Sequence, residues 1–147
     1  IGTDDASASP FRRPYEWSLG RSLDGELLRR AAALLTGEHD FPAFAVRRPG
    51  DRSARPHRCA IRQAEWQPRP DGEGFTFHVA ADRFLHHMVR FLVGTMVDIG
   101  LGRRPLEDMT TLLARSDNQA TSPPAPPQGL YFVAAEYPAA WYAEDAG

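Results

Sequence analysis

The chain has 147 residues, 42% hydrophobic and 24% charged, with a formal net charge of -2. Its length fits one domain with a real core, and its charge excludes a nucleic-acid binder driven by gross basicity, though not a local basic face. All 17 basic residues are arginine and Cys59 is the single cysteine, which excludes lysine-nucleophile chemistry, an intrachain disulfide and a multi-cysteine zinc site.

In chain order, residues 1–9 have no hydrophobic pattern and read as a loop or a severed connection. "FRRPYEWSLG" alternates enough for a short strand through Tyr15 and Trp17. "SLDGELLRRAAALLTG" reads as a helix: Ser22 or Asp24 is its N-cap, Leu27, Leu28, Ala31, Leu34 and Leu35 share one face, and Gly37 is its C-cap. "EHDFPAF" is a compact turn anchored by Phe41 and Phe44. From Val46 to Arg58 the chain is arginine-rich and broken by Pro49, Gly50 and Pro56. Two strands, "CAIRQAEWQP" and "GFTFHVAA", follow with "RPDGEG" as their hairpin connection.

A helix is then expected from Phe84 to the glycines of "IGLGRRP", and another from Pro105 with acidic residues near its start, as the helix dipole favours. "TSPPAPPQG" cannot be helical, and "LYFVAAEYP" reads as a closing strand. The order is that of an α+β fold, an antiparallel sheet with helices on one face in the ferredoxin-like, split β-α-β pattern. No internal repeat or second domain is visible. The expected organisation is a connection over 1–9, one domain over 10–138 and a tail over 139–147. The apolar run from Met88 to Val97 is too short to span a bilayer and no signal peptide is seen, so a cytoplasmic protein is expected.

The stretch "FLHHMVRFLVG" raises a question of charge. On a helix, Arg83, His87, Arg90, Gly94 and Asp98 form one stripe, with His86 beside it, while the rest is apolar apart from Thr95. A guanidinium cannot be neutralised by losing its proton, and unpaired burial of a charge costs on the order of several kcal/mol. Asp98 lies eight residues on, roughly 12 Å along the axis, so the acceptor for Arg90 must come from elsewhere. The plainer alternative has the histidines capping the helix and Arg90 reaching past its end to solvent. No metal site is expected, because adjacent histidines do not share a helix face and no H-E-x-x-H spacing exists. Arg47, Arg48, Arg52, Arg55 and Arg58, with Arg103 and Arg104, form a candidate phosphate-binding surface, or simply a solvated loop. His57 and Cys59 are most simply the entry to a strand.

"GEHDFPAF", "FLHHMVRFLVGTMVDIG" with "GRRP", and "APPQGLYFVAAEYP", in this order, resemble the C-terminal half of the tRNA pseudouridine synthase A (TruA) family. The leading "SPFRRPYEW" and "LDGELLRRAAALLTGEHDF" look similar too, so the resemblance covers about Ser9 to Pro138. It implies half of the pseudouridine synthase fold, a homodimer, and isomerisation of uridine to pseudouridine in the anticodon stem-loop of tRNA without metal or organic cofactor. It further implies that Arg90 pairs with a catalytic aspartate, that Gly129 and Leu130 form the apolar floor under a flipped base, and that Phe84, His86 and His87 begin the arginine helix. The arginine-rich loop is similar to a segment that meets tRNA. The family's aspartate motif, of the form G-R-T-D-x-G-V-H, is absent; "GTDDAS" is only superficially like it, so Asp4 and Asp5 are not expected to be catalytic. The acceptor of Arg90 is then expected on an N-terminal half outside this chain, and the chain alone is expected to be inactive. An alternative reading is a catalytically inactive RNA-binding or dimerisation module.

Overall fold

The structure is a computed structural model that describes residues 1–46 and 57–138. It is α+β: α1 (Gly25–Ala33), β1 (Gly37–Asp40), β2 (Arg58–Pro68), β3 (Phe75–Ala81), α2 (Met88–Gly100) and α3 (Asp108–Leu113). The strands form one antiparallel sheet in the order β1-β2-β3.

β2 carries the detail on which the core depends. Its pairing with β3 slips between Ile61 and Gln63, leaving Arg62 as a bulge. An extra residue in a strand inverts the alternation beyond it. Cys59 and Ile61 point inward before the bulge, and Ala64 and Trp66 after it. Opposite them stand Ala81, Val79 and Phe77, all packed on the core, with Trp66 stacked on Phe77 at 4.9 Å. The Trp66 indole N–H donates to Met96 Sδ of α2 at 3.3 Å, tying sheet to helix.

α1 starts where Asp24 accepts from the amides of Glu26 and Leu27, satisfying donors that a helix start leaves open. It buries Leu28, Ala31 and Ala32. The helix stops at Ala33, before the expected C-cap: Gly37, at φ 107, instead opens β1. Leu34 consequently turns outward while Leu35 is buried. Phe41 and Phe44 are fully buried, as anchors of a 3-10 turn should be.

Three expected elements differ. Residues 10–16 form turns rather than a strand, because Pro14 interrupts the run and Arg12 is ion-paired to Glu16 one turn on. Residues 130–138 have strand composition but form no strand, and Phe132 and Val133 are 85% and 90% exposed: among the described residues no strand pairs with them. α2 begins at Met88 rather than Phe84, since His87 adopts φ 62 and breaks the helical path. Arg83 therefore leaves the expected stripe and His86 its place beside it, and Arg83 Nε donates to the carbonyl of Arg58.

The first residues are not an idle loop. Gly2 bridges to Ser18 and Gly74, and Arg12 grips Asp4 with two bonds of 2.8 and 3.0 Å. The Arg12 bonds hold the Asp4 carboxyl below its usual range. Glu16 accepts from Arg12 and from Arg69, which joins the segment to the connection between β2 and β3.

The bulge makes a contrast that is simple to measure. Deleting Arg62 restores unbroken alternation and leaves Cys59, Ile61, Ala64 and Trp66 inward, so thermal stability should change little. Deleting Glu65 turns Trp66 out of the core and should lower the melting temperature by about 10 °C or more.

Candidate active site

Arg90 lies on the first turn of α2 and is half-buried. Its Nε donates to the Ala125 carbonyl at 2.6 Å, and the Ala125 amide donates back to the Arg90 carbonyl at 2.9 Å. The proline-rich loop is thus bound to the helix in both directions. Gly94, one turn on, lets it approach: a Cβ there would lie 2.1 Å from the Pro123 carbonyl oxygen. Glycine weakens a helix interior unless close backbone approach requires it, and that was the sequence signal for this contact. Arg104 holds the other end of the loop, donating to the Ala120 carbonyl at 2.8 Å while Asp108 accepts from its Nε at 3.0 Å.

Beyond the prolines, Gly129 at φ 89 packs on the N-terminal segment, where a Cβ would lie 2.9 Å from Glu16 Cα. Tyr131 Oη donates to the Tyr15 carbonyl at 2.9 Å. Loop, N-terminal segment and hairpin enclose a cleft of about 1180 Å³. Arg90, Gly129 and Leu130 line it together, so three of the expected site residues meet. Arg12, Glu16 and Arg69 also line it; sequence patterning had not brought them to the site, because their partners are distant in the chain.

Arg90 has no carboxylate partner among the described residues. Asp98, too far along the helix, pairs with Arg103 at 3.1 Å instead. What remains near the guanidinium is His87 Nδ1, 3.5 Å from Nη1. His86 and His87 do not line the cleft; their rings lie 4.0 Å apart at the helix start. Partial desolvation, then the charges of His86 and Arg90, lower the His87 pKa. Among the expected phosphate contacts, Arg58 is ion-paired to Glu38 and Arg103 to Asp98, both mostly exposed, while Arg104 is the loop staple just described. Arg47, Arg48, Arg52 and Arg55 lie outside the described residues. Among the described residues there is no group of three or more His, Cys, Asp or Glu that could hold a metal ion.

Gly94→Ala should push the loop off α2, lowering stability by about 1–3 kcal/mol in denaturant titration. The Ala125 amide should lose protection in hydrogen exchange. An unchanged exchange rate would contradict this seating.

A family model described as tRNA pseudouridine synthase matches residues 31–138. The tRNA pseudouridine synthase A of Xanthomonas euvesicatoria pv. vesicatoria (strain 85-10) is 39% identical over 132 residues, which is 90% of this chain and 49% of that protein. That of Myxococcus xanthus is 42% identical over 122 residues, covering 83% of this chain and 44% of its own length. The chain spans about half the length of the curated relatives it matches. With an α+β antiparallel sheet, a half-buried arginine facing a cleft and a matched stretch that includes every one of these cleft elements from β1 onward, the chain belongs to the tRNA pseudouridine synthase family.

Proposed function

We propose that this chain is the C-terminal half of a pseudouridine synthase that converts uridine to pseudouridine in the anticodon stem-loop of tRNA. The single observation that carries this reading is Arg90: a permanent cation lining a cleft, anchored at Nε by Ala125, with no carboxylate beside it among the described residues. A catalytic aspartate from the N-terminal half is the acceptor it lacks.

That carboxylate attacks or deprotonates the nucleoside, the C1′–N1 glycosidic bond breaks, and the base turns so that C5 bonds C1′ as the carboxylate is restored; the C5 proton then leaves to solvent and N1 takes one up. Arg90 serves the step by keeping the carboxylate ionised and aimed, a charge-assisted pairing strengthened by exclusion of water. Gly129 and Leu130 provide the apolar floor, Leu130 being 52% exposed to the cleft that the base would enter. His86 and His87 hold the start of the arginine helix. Arg58 and Arg103, mostly exposed, are suited to phosphate contact; so are Arg47, Arg48, Arg52 and Arg55 by residue type, while Arg104 acts first through the loop it staples. No metal or organic cofactor enters this reaction.

The N-terminal half is also the natural neighbour for the edge of β3 beyond Phe75, where among the described residues no strand pairs, and for the exposed aromatic run at Tyr131 and Phe132. Homodimerisation and a cytoplasmic location complete the proposal. No helix among the described residues is long and apolar enough to cross a membrane.

Tritium release from labelled uridine in tRNA tests the reading. In the full-length protein Arg90→Ala should lose about a hundredfold or more in rate while remaining folded. Arg90→Lys should not rescue it, since an ammonium cannot bond Ala125 and face a carboxylate in one plane. This chain by itself should release no tritium. Release by the chain alone would contradict the missing carboxylate, and salt-dependent tRNA binding without turnover by the full-length protein would favour an inactive RNA-binding module.

A further inference from the structure

Among the described residues, His87 is the one non-glycine residue with a positive φ, at φ 62 and ψ 5. A residue with a Cβ holds this conformation at a cost, and it persists where the surroundings over-determine it. Those surroundings are visible. The His86 carbonyl accepts from the Val46 amide at 3.2 Å, the Met88 amide donates back to Leu85, and the Phe91 amide donates to the His87 carbonyl. The turn alone asks for glycine or asparagine. The imidazole Nδ1, however, stands 3.5 Å from Arg90 Nη1, a different nitrogen of the guanidinium from the Nε that Ala125 holds.

A guanidinium fixed at one nitrogen can still swing about that bond; fixed at two, its plane is set. We propose that His87 is a positioning residue for Arg90, its neutral ring accepting from Nη1 so that the remaining Nη2 is aimed into the cleft. The proposal rests on the reading of Arg90 as the arginine of the active site.

Acceptance requires an unprotonated Nδ1. The charged groups bearing on the ring are His86 from the preceding turn and Arg90 from α2; with partial desolvation, they hold His87 below the ordinary imidazole value of 6.5. Because the folded value lies below the unfolded one, the contact is complete above pH 6.5 and is lost as pH falls through the lower, folded value. A charged His87 would both cease to accept and repel Arg90.

Two substitutions in the full-length protein separate the ring from the turn. His87→Gly keeps the left-handed backbone and removes the acceptor; His87→Asn keeps the backbone and an acceptor that does not titrate. Both should melt near the parent temperature. His87→Gly should lose about fivefold or more in kcat, the size of one hydrogen bond's contribution. His87→Asn should recover most of that loss and flatten the acid limb of the rate profile. A readout independent of turnover is NMR titration of the His87 ring, whose pKa should rise in Arg90→Gln. Full activity in His87→Gly, an unchanged acid limb in His87→Asn, or a ring titration indifferent to Arg90→Gln would each overturn the proposal. If His87→Gly fails to fold, the Asn profile and the titration decide. If the full-length protein has no synthase activity at any pH, the functional reading of Arg90 falls, and the ring titration still decides the contact.

Discussion

The pair of opposed hydrogen bonds between Arg90 and Ala125 is the joint around which the cleft is assembled. It seats the proline loop on α2, where Gly94 leaves room for it. The seated loop delivers Gly129 against the backbone of Glu16, and Tyr131 bonds the same segment at Tyr15. Glu16 in turn receives Arg12 and Arg69, so the N-terminal segment is bound to the hairpin. Helix, loop, segment and hairpin thus form a closed circuit, and the cleft is the space inside it.

Two kinds of force divide the work. The sheet and helices are held by burial of large side chains such as Phe41, Leu92, Met96 and Trp66, each contributing roughly 1.5–3 kcal/mol. Exposed pairs such as Arg29–Glu26 contribute about 0–1 kcal/mol. The core therefore decides the fold, while the less exposed network around Arg12 decides where the first residues lie. A single-residue bulge at Arg62 reconciles a strand long enough to reach both ends of the core with inward residues on both sides of the slip.

Much of this was legible in the residues and some was not, for physical reasons. α1, the β2–β3 hairpin, the non-helical proline loop and the isolation of Arg90 from Asp98 follow from periodicity, capping and rise per residue. β1 was hidden because "GEHD" is polar and short, and becomes a strand only by pairing its backbone with β2. The start of α2 was misplaced because Phe84 and Leu85 carry the apolar pattern that resumes at Met88, and the left-handed turn at His87 depends partly on a bond from distant Val46. "LYFVAAEYP" has the composition of a strand, but a strand also needs a neighbour, which composition cannot supply. Gly94 was visible as part of the arginine stripe, while its purpose depended on a loop some thirty residues away.

The guanidinium of Arg90 is held at Nε before any acceptor arrives, because that bond is part of folding rather than of association. A carboxylate entering the cleft would meet a dipole field already in place, with little reorganisation left to undergo. The proline loop, which looks like a connector, therefore does more than join two elements: it holds one nitrogen of the Arg90 guanidinium in place at the rim of the cleft.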